Sequence, residues 1–396
     1  MGHAGNSKAA EKPDSAEVCG CSGVSKGAIC RAIREKGLFS LEEVKKHTKA
    51  ASSCGSCAGL VEQILASTIG CAYTTARLDS KPVCGCTEHS HQAVRETIVA
   101  QRLTSKEAVF DFLEWKTPNG CDKCRPAINY YLISSWPDHA KDDPQSRLIN
   151  ERAHANIQKD GTYSVVPRMW GGLTTPAQLR AIADAAAKYR VPTVKVTGGQ
   201  RIDLLGVRKE DLPAIWADLN AAGMVSGHAY GKSIRTVKTC VGAEHCRFGT
   251  QLAMDMGVKL EKMLFDMYAP HKVKLAVSGC PRNCAEAGIK DVGGNGCIKT
   301  EVAQLLCKVR TDEEVMEYAG AFLQLYREQG WYLERTCHWL ARVGLDHVKS
   351  RIVEDETGRK ALHARLLDSL KDAKDPWQTS REAQAVKQFI PLRLEA

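Results

Sequence analysis

Apolar residues in the first third of the chain fall at helical spacing in short runs, and the runs repeat. Ser25 is placed to cap a helix that Gly37 closes, Ser40 with Glu43 forms a capping box for a second, and Leu60, Ile64 and Leu65 mark a third that runs on from Cys57. Sliding the sequence by 65 positions lays Ile33 on Ile98, Leu38 on Leu103, Ser40 on Ser105, Glu42 on Glu107 and Val44 on Val109. One small helical unit is therefore duplicated, and Thr104 with Glu107 predicts the equivalent box in the second copy.

Trp136–Pro144 carries two prolines among charged residues and reads as a linker. Beyond it strands and helices alternate. Thr175–Pro176 opens a helix through Leu179, Ile182 and Ala186. Thr193–Thr197 and Arg201–Val207 are strands about a Gly198–Gly199 turn, and Leu212–Ala222 is a helix stopped by Gly223. A helix is expected from Arg247 and a strand over Lys272–Val277. After about residue 300 the chain turns helical, Thr311 and Glu314 boxing a helix that carries Val315, Ala319, Phe322 and Leu323 on one face. The fold class is α+β multidomain: two small helical modules, an α+β region and a helical C-terminal region.

Composition changes this picture at one point only. A hydrophobic fraction of 43% and a charged fraction of 26% are ordinary, and no run approaches the roughly 18 apolar residues of a membrane span. Met1–Ser15 is small and polar without an apolar export core, so a cytoplasmic protein is expected. The net charge of +9 is dispersed, which argues against a nucleic-acid partner. Seventeen cysteines without a secretory signal point to metal or redox chemistry in a reducing compartment.

Twelve of them fall into three sets of four. Cys19, Cys21, Cys54 and Cys57 make CxC and CxxC pairs 32 residues apart, and Cys84, Cys86, Cys121 and Cys124 repeat them. Each set suits one tetrahedral zinc or one [2Fe-2S] cluster, and spacing does not choose. Modules with so few large apolar residues need such a centre for stability. The third set is Cys240, Cys246, Cys280 and Cys284, which suits a [4Fe-4S] cluster. Cys30, Cys71, Cys297, Cys307 and Cys337 read as small buried hydrophobes.

The sequences VCGC and SCGSCAG, and VCGC and GCDKCRP in the second copy, resemble the bacterioferritin-associated ferredoxin family, which implies two [2Fe-2S] clusters. TCVGAEHC and SGCPRNC resemble the sirohaem and [4Fe-4S] motifs of sulfite and nitrite reductases. VPRMWGG and KVTGGQRIDLLGV are similar to the nitrite reductase large subunit in particular, so nearly the whole chain looks like the C-terminal part of a bacterial assimilatory large subunit. The resemblance implies ferredoxin-like modules over 16–72 and 81–135, a ferredoxin-like half domain over 145–232, a sirohaem–[4Fe-4S] domain over 233–300 and a helical region over 301–396. It also implies that Cys284 bridges cluster and sirohaem.

Reduction of nitrite to ammonium takes six electrons, which a series of one-electron centres feeding a haem-type iron can deliver. Nitrite is an anion and sirohaem a polycarboxylate, so fixed positive charge is needed beside them. By resemblance Arg168, Arg235, Lys272 and Lys274 face the substrate, and Gln200 and Arg201 meet sirohaem carboxylates; Lys272 and Lys274, two apart in a strand, point the same way. No GxGxxG motif is present, which implies a separate NAD(P)H-dependent flavoprotein donor or a missing N-terminal flavin region. The segment between Val292 and Gly294 is shorter than the family's, so a more open pocket is expected. A small subunit and a homodimer are the expected protein partners. Sulfite reduction, or an electron carrier that has lost the sirohaem site, are the competing readings.

Overall fold

A computed structural model of the chain describes residues 12–20, 22–38, 41–52, 57–69, 82–137, 139–140, 143, 156–228, 232–290, 294–296, 300–371 and 373–378. These form two compact units, one from the residues up to Leu103 with Glu107–Cys124, the other from Thr104–Lys106 with the chain from Arg125 onward. Much of the expected linker, together with Ser40, Cys21, Cys54, Cys71, Val292 and Cys297, lies outside the described residues.

The duplication is visible in the structure. Glu17 pairs with Ser25 in the first copy, and 65 positions later Pro82 pairs with Ser90. Ser25 and Ser90 cap the helices Lys26–Lys36 and His91–Ala100, their hydroxyls accepting from the N–H of Ala28 and Ala93. Gly37 ends the first helix at φ 58°, a left-handed position where glycine pays no steric cost. The second helices, Leu41–Thr48 and Lys106–Phe112, start at the same repeat position. That places the second start at Lys106, with Ser105 before it, one residue later than a box on Thr104 requires. The third helices are Ala58–Ile69 and Cys124–Ser135. A small core of Ile29, Ile33, Val44, Val61, Ile64 and Leu65 closes the first copy.

In the second unit, strands Asn156–Ile157, Tyr163–Val165, Ile202–Val207 and Thr193–Val196 form an antiparallel sheet in that spatial order. Helices Pro176–Lys188 and Leu212–Ala221 bury Ile182, Ala185, Ile215 and Trp216 with Leu204 and Val207 of the sheet. The helix opens at Thr175–Pro176 as expected, and Thr175 forms a capping box with Gln178. The helices Asp312–Gln329 and Glu356–Leu370 build the largest core around Leu323, Tyr326 and Leu366, and Thr311 with Glu314 caps the first of them.

Two expected elements differ. The strand over Lys272–Val277 reduces to Ala276–Val277 plus a parallel bridge between Val273 and Ile234. The helix expected from Arg247 begins only at Ala253, because Thr250 and Gln251 spend their N–H groups on Gly279 O at 2.9 and 3.2 Å. A single turn, Gly242–His245, lies inside the first cysteine motif instead.

Candidate metal centres and anion cleft

In the second module the sulfurs of Cys84, Cys86, Cys121 and Cys124 all lie within 4.8 Å of one another. The CxC pair follows the Pro82–Ser90 bridge, Lys116 N–H fixes its loop through Cys86 O at 2.9 Å, and the CxxC pair ends on the first residue of the helix Cys124–Ser135. N–H groups aim at the sulfurs: Cys86 N donates to Cys84 Sγ at 3.3 Å, Cys121 N to Cys124 Sγ at 2.9 Å and Lys123 N to Cys121 Sγ at 3.4 Å. Burial pushes the Cys84 and Cys124 thiols up, and each gains a further rise from a neighbouring thiol's charge. Burial also raises Cys121, but the N–H groups of Cys124 and Lys123 outweigh it and leave the thiol at about 7. Four thiolates this close repel one another unless a cation joins them, so the donor set fits a bound metal centre.

Of the first module's set, Cys19 and Cys57 are described. Their thiols hydrogen-bond one another; the Ala51 N–H holds Cys19 below the usual thiol range, and burial holds Cys57 above it.

The third set is built by parallel pairing. Arg235 N and Lys238 N donate to Val273 O and Leu275 O at 2.9 and 3.0 Å, and Lys238–Thr239 pairs in parallel with Ala276–Val277. Parallel segments end together, so Cys240 and Cys280 leave at the same edge, where Gly279 N donates to Cys240 Sγ at 3.1 Å. Gly279 tolerates no side chain: a Cβ would stand 2.8 Å from Gln251 O and 2.9 Å from Gly242 Cα. Cys240, Cys246 and Cys280 are partly buried and Cys284 is exposed. They do not gather within 4.8 Å as the second module's sulfurs do.

Behind these strands opens a cleft of about 350 Å³ whose wall carries Arg201, Arg235, Lys238, Lys272, Lys274 and Lys290, with Asp203 as its carboxylate. Glu286 holds Lys238 at 2.9 Å and Lys290 at 3.2 Å, and both lysines keep its carboxyl below the usual range. Arg201 Nη1 is tied to Gly227 O at 3.0 Å. Burial raises the Asp203 carboxyl, with the Ser164 hydroxyl donating to it at 2.6 Å and Arg201 opposing the rise. Even with Lys238 and Lys290 paired to Glu286, the wall keeps an excess of positive charge that fits a polyanionic cofactor and an anionic substrate.

Four expected residues, Arg201, Arg235, Lys272 and Lys274, meet in this cleft, and two do not. Arg168 is sealed in the core, its guanidinium bonded to Glu261 at 2.6 Å, to His228 Nδ1 at 2.7 Å and to Ser226 O at 3.2 Å. Gln200 spends its side-chain amide on the backbone of Thr239, donating to the carbonyl at 2.7 Å and accepting the N–H at 2.8 Å. Sequence reasoning missed Lys238 and Lys290; Lys238 stands three residues from Arg235, outside any two-residue alternation, and Lys290 reaches the wall by way of Glu286.

Family models match four stretches of the chain. Residues 17–67 and 82–134 match the BFD-like [2Fe-2S] binding domain, 156–222 the nitrite/sulfite reductase ferredoxin-like half domain, and 230–301 the nitrite and sulphite reductase 4Fe-4S domain. The nitrite reductase [NAD(P)H] of Bacillus subtilis is 54% identical over 96% of this chain and 49% of its own length. The nitrite reductase [NAD(P)H] large subunit of Klebsiella oxytoca is 38% identical over 93% of this chain and 40% of its own. The assimilatory-type sulfite reductase of Nitratidesulfovibrio vulgaris is 30% identical over 52% of this chain and 100% of its own. The chain thus spans about half or less of the length of the nitrite reductases it matches. On these matches the chain belongs to the nitrite and sulfite reductase family, with two BFD-like [2Fe-2S] binding domains joined to its nitrite/sulfite reductase domains.

Proposed function

We propose that this chain is the nitrite-reducing part of a sirohaem-dependent nitrite reductase. The observation that carries the reading is the cleft of Arg201, Arg235, Lys238, Lys272, Lys274 and Lys290, lined by the two paired segments that lead on to Cys240 and Cys280. Sirohaem coupled to a [4Fe-4S] cluster would supply stepwise electrons to a bound anion there.

The chain's own residues do the rest. Cys240, Cys246, Cys280 and Cys284 hold the [4Fe-4S] cluster, with Cys284 also facing sirohaem, and the eight module cysteines hold two [2Fe-2S] clusters. Arg201 meets sirohaem carboxylates; Arg235, Lys272 and Lys274 orient nitrite and offset the negative charge that accumulates during reduction. The domain division at 16–72, 81–135, 145–232, 233–300 and 301–396 belongs to the same proposal. So do a cytoplasmic site of action, an NAD(P)H-dependent flavoprotein donor or flavin region, a small subunit and a homodimer. Among the described residues no helix is long and apolar enough to cross a membrane.

Sulfite reduction is the second reading, favoured by the full-length match to a sulfite reductase and by a cationic wall suited to either anion. Anaerobically purified protein driven by reduced viologen should show haem-type visible bands and turn nitrite over with a higher kcat/KM than sulfite. Zinc in place of iron and sulfide, or faster sulfite turnover, overturns the proposal.

A further inference from the structure

The two duplicated modules differ in one buried contact. Trp115 Nε1 donates to Cys124 Sγ at 3.4 Å, and the indole is fixed against Phe110, ring centroids 5.2 Å apart. Left-handed backbone at Lys49 (φ 64°) and Glu114 (φ 50°) keeps the repeat offset of 65 through this stretch, which puts Ala50 opposite Trp115. Both are buried, at 0% and 7% exposure. None of the chain's seven tryptophans precedes Trp115, so the first module carries no indole of its own. The loop amides differ as well: Ala51 N–H bonds Cys19 Sγ, whereas Lys116 N–H goes to Cys86 O at 2.9 Å.

An indole N–H is a donor with no acceptor function, and a buried one usually finds a partner. The bland account is that the sulfur is merely the nearest acceptor. A neutral thiol accepts poorly, whereas a ligand thiolate accepts well and better still after an electron arrives. Reducing a [2Fe-2S] centre adds one electron, makes and breaks no bond, and leaves the centre one unit more negative. A fixed donor at a ligand sulfur favours that state, and hydrogen bonds to sulfur are among the levers that set such potentials.

We propose that Trp115 is the residue that tunes the second [2Fe-2S] centre, raising its reduction potential through Cys124 and making the duplicated pair two unequal relays. The inference rests on the cluster assignment above. Trp115 touches a ligand and not the reacting anion, so its role is positioning and tuning.

The test is a dithionite titration of the full chain, followed by EPR, on wild type and Trp115→Phe. Wild type should show two S = 1/2 signals of [2Fe-2S] type, separate from that of the [4Fe-4S] centre. In the variant only one should move, downward, by about tenfold in the one-electron equilibrium constant, roughly 59 mV. Cys57→Ser, in the first module, should perturb the other signal and so assign them. A second measurement leaves Trp115 in place: with indole-15N tryptophan, a 15N coupling should appear on the second module's signal and be absent from the signal that Cys57→Ser perturbs. Unmoved potentials, a shift in the first module's signal, or no 15N coupling on the second module's signal overturn the inference. Iron-replete protein lacking two such signals refutes the cluster assignment itself, and this inference with it.

Discussion

Arg168 and Glu261 meet at 2.6 Å with neither side chain reaching solvent. The other Glu261 oxygen accepts the N–H of Gly171 at 2.8 Å and of Val237 at 2.9 Å, so this one carboxylate ties the segment after the strand Tyr163–Val165 to the residue that leads into the strand Lys238–Thr239, next to Cys240. Trp170 and Phe265 flank the guanidinium, each 5.4 Å from it. Arg168→Met leaves Glu261 buried without its cation, a loss of about 3–5 kcal/mol. Urea denaturation should report that loss, while the protein that still folds keeps its KM for nitrite. A raised KM at unchanged stability would return Arg168 to the substrate.

Lys274 should behave in the opposite way. It is exposed on the cleft wall, so Lys274→Met changes stability by less than about 0.5 kcal/mol. If its ammonium steadies charge on the bound anion, nitrite turnover falls by about 100-fold or more. The sirohaem bands should persist. Viologen-driven turnover and a visible spectrum on the same sample check both halves, and unchanged turnover removes Lys274 from the site.

These two cations show how far the sequence carries. Ser25, the start at Thr175–Pro176, and Thr311 with Glu314 were legible because a cap is decided within three or four residues. Cys84, Cys86, Cys121 and Cys124 were legible as a set because the duplication repeats them. Arg168 was misplaced because its fate is set by Glu261, 93 positions away, on a helix whose pattern does not announce a buried carboxylate. Gln200 was misplaced for the same kind of reason, since its partner is the backbone of Thr239. The helix expected from Arg247 failed because Gly279 O competes for the N–H groups that helix needs.

Gly279 is accordingly the joint of the third cysteine set. Its N–H reaches Cys240 Sγ, its carbonyl accepts from Thr250 N and Oγ1 and from Gln251 N, and its Cα faces backbone. Gly279→Ala forces the two loops apart at a cost of about 1–3 kcal/mol. The expected result is loss of the [4Fe-4S] iron with both [2Fe-2S] EPR signals retained. Wild-type iron content in the variant would mean that the loops do not need this approach to hold their cluster.

His271 supplies a pH dependence whose sign is fixed by its surroundings. Burial, then the charges of Arg335, Lys272, Lys232 and Arg235, depress its imidazole from 6.5 to about 3, and Lys272 N–H donates to Nδ1 at 2.8 Å, so that nitrogen is the acceptor of a neutral ring. The unfolded chain takes up a proton near pH 6.5 that the folded chain refuses. The stability from the neutral ring is present above that pH and is lost as pH falls through the window from about 6.5 toward 3. One proton corresponds to a slope of about 1.4 kcal/mol per pH unit. His271→Asn keeps an acceptor for Lys272 and removes the titration, so its urea midpoint should fall less steeply than wild type between pH 6 and about 4. Parallel curves for the two proteins would show that the ring is protonated in the folded chain after all.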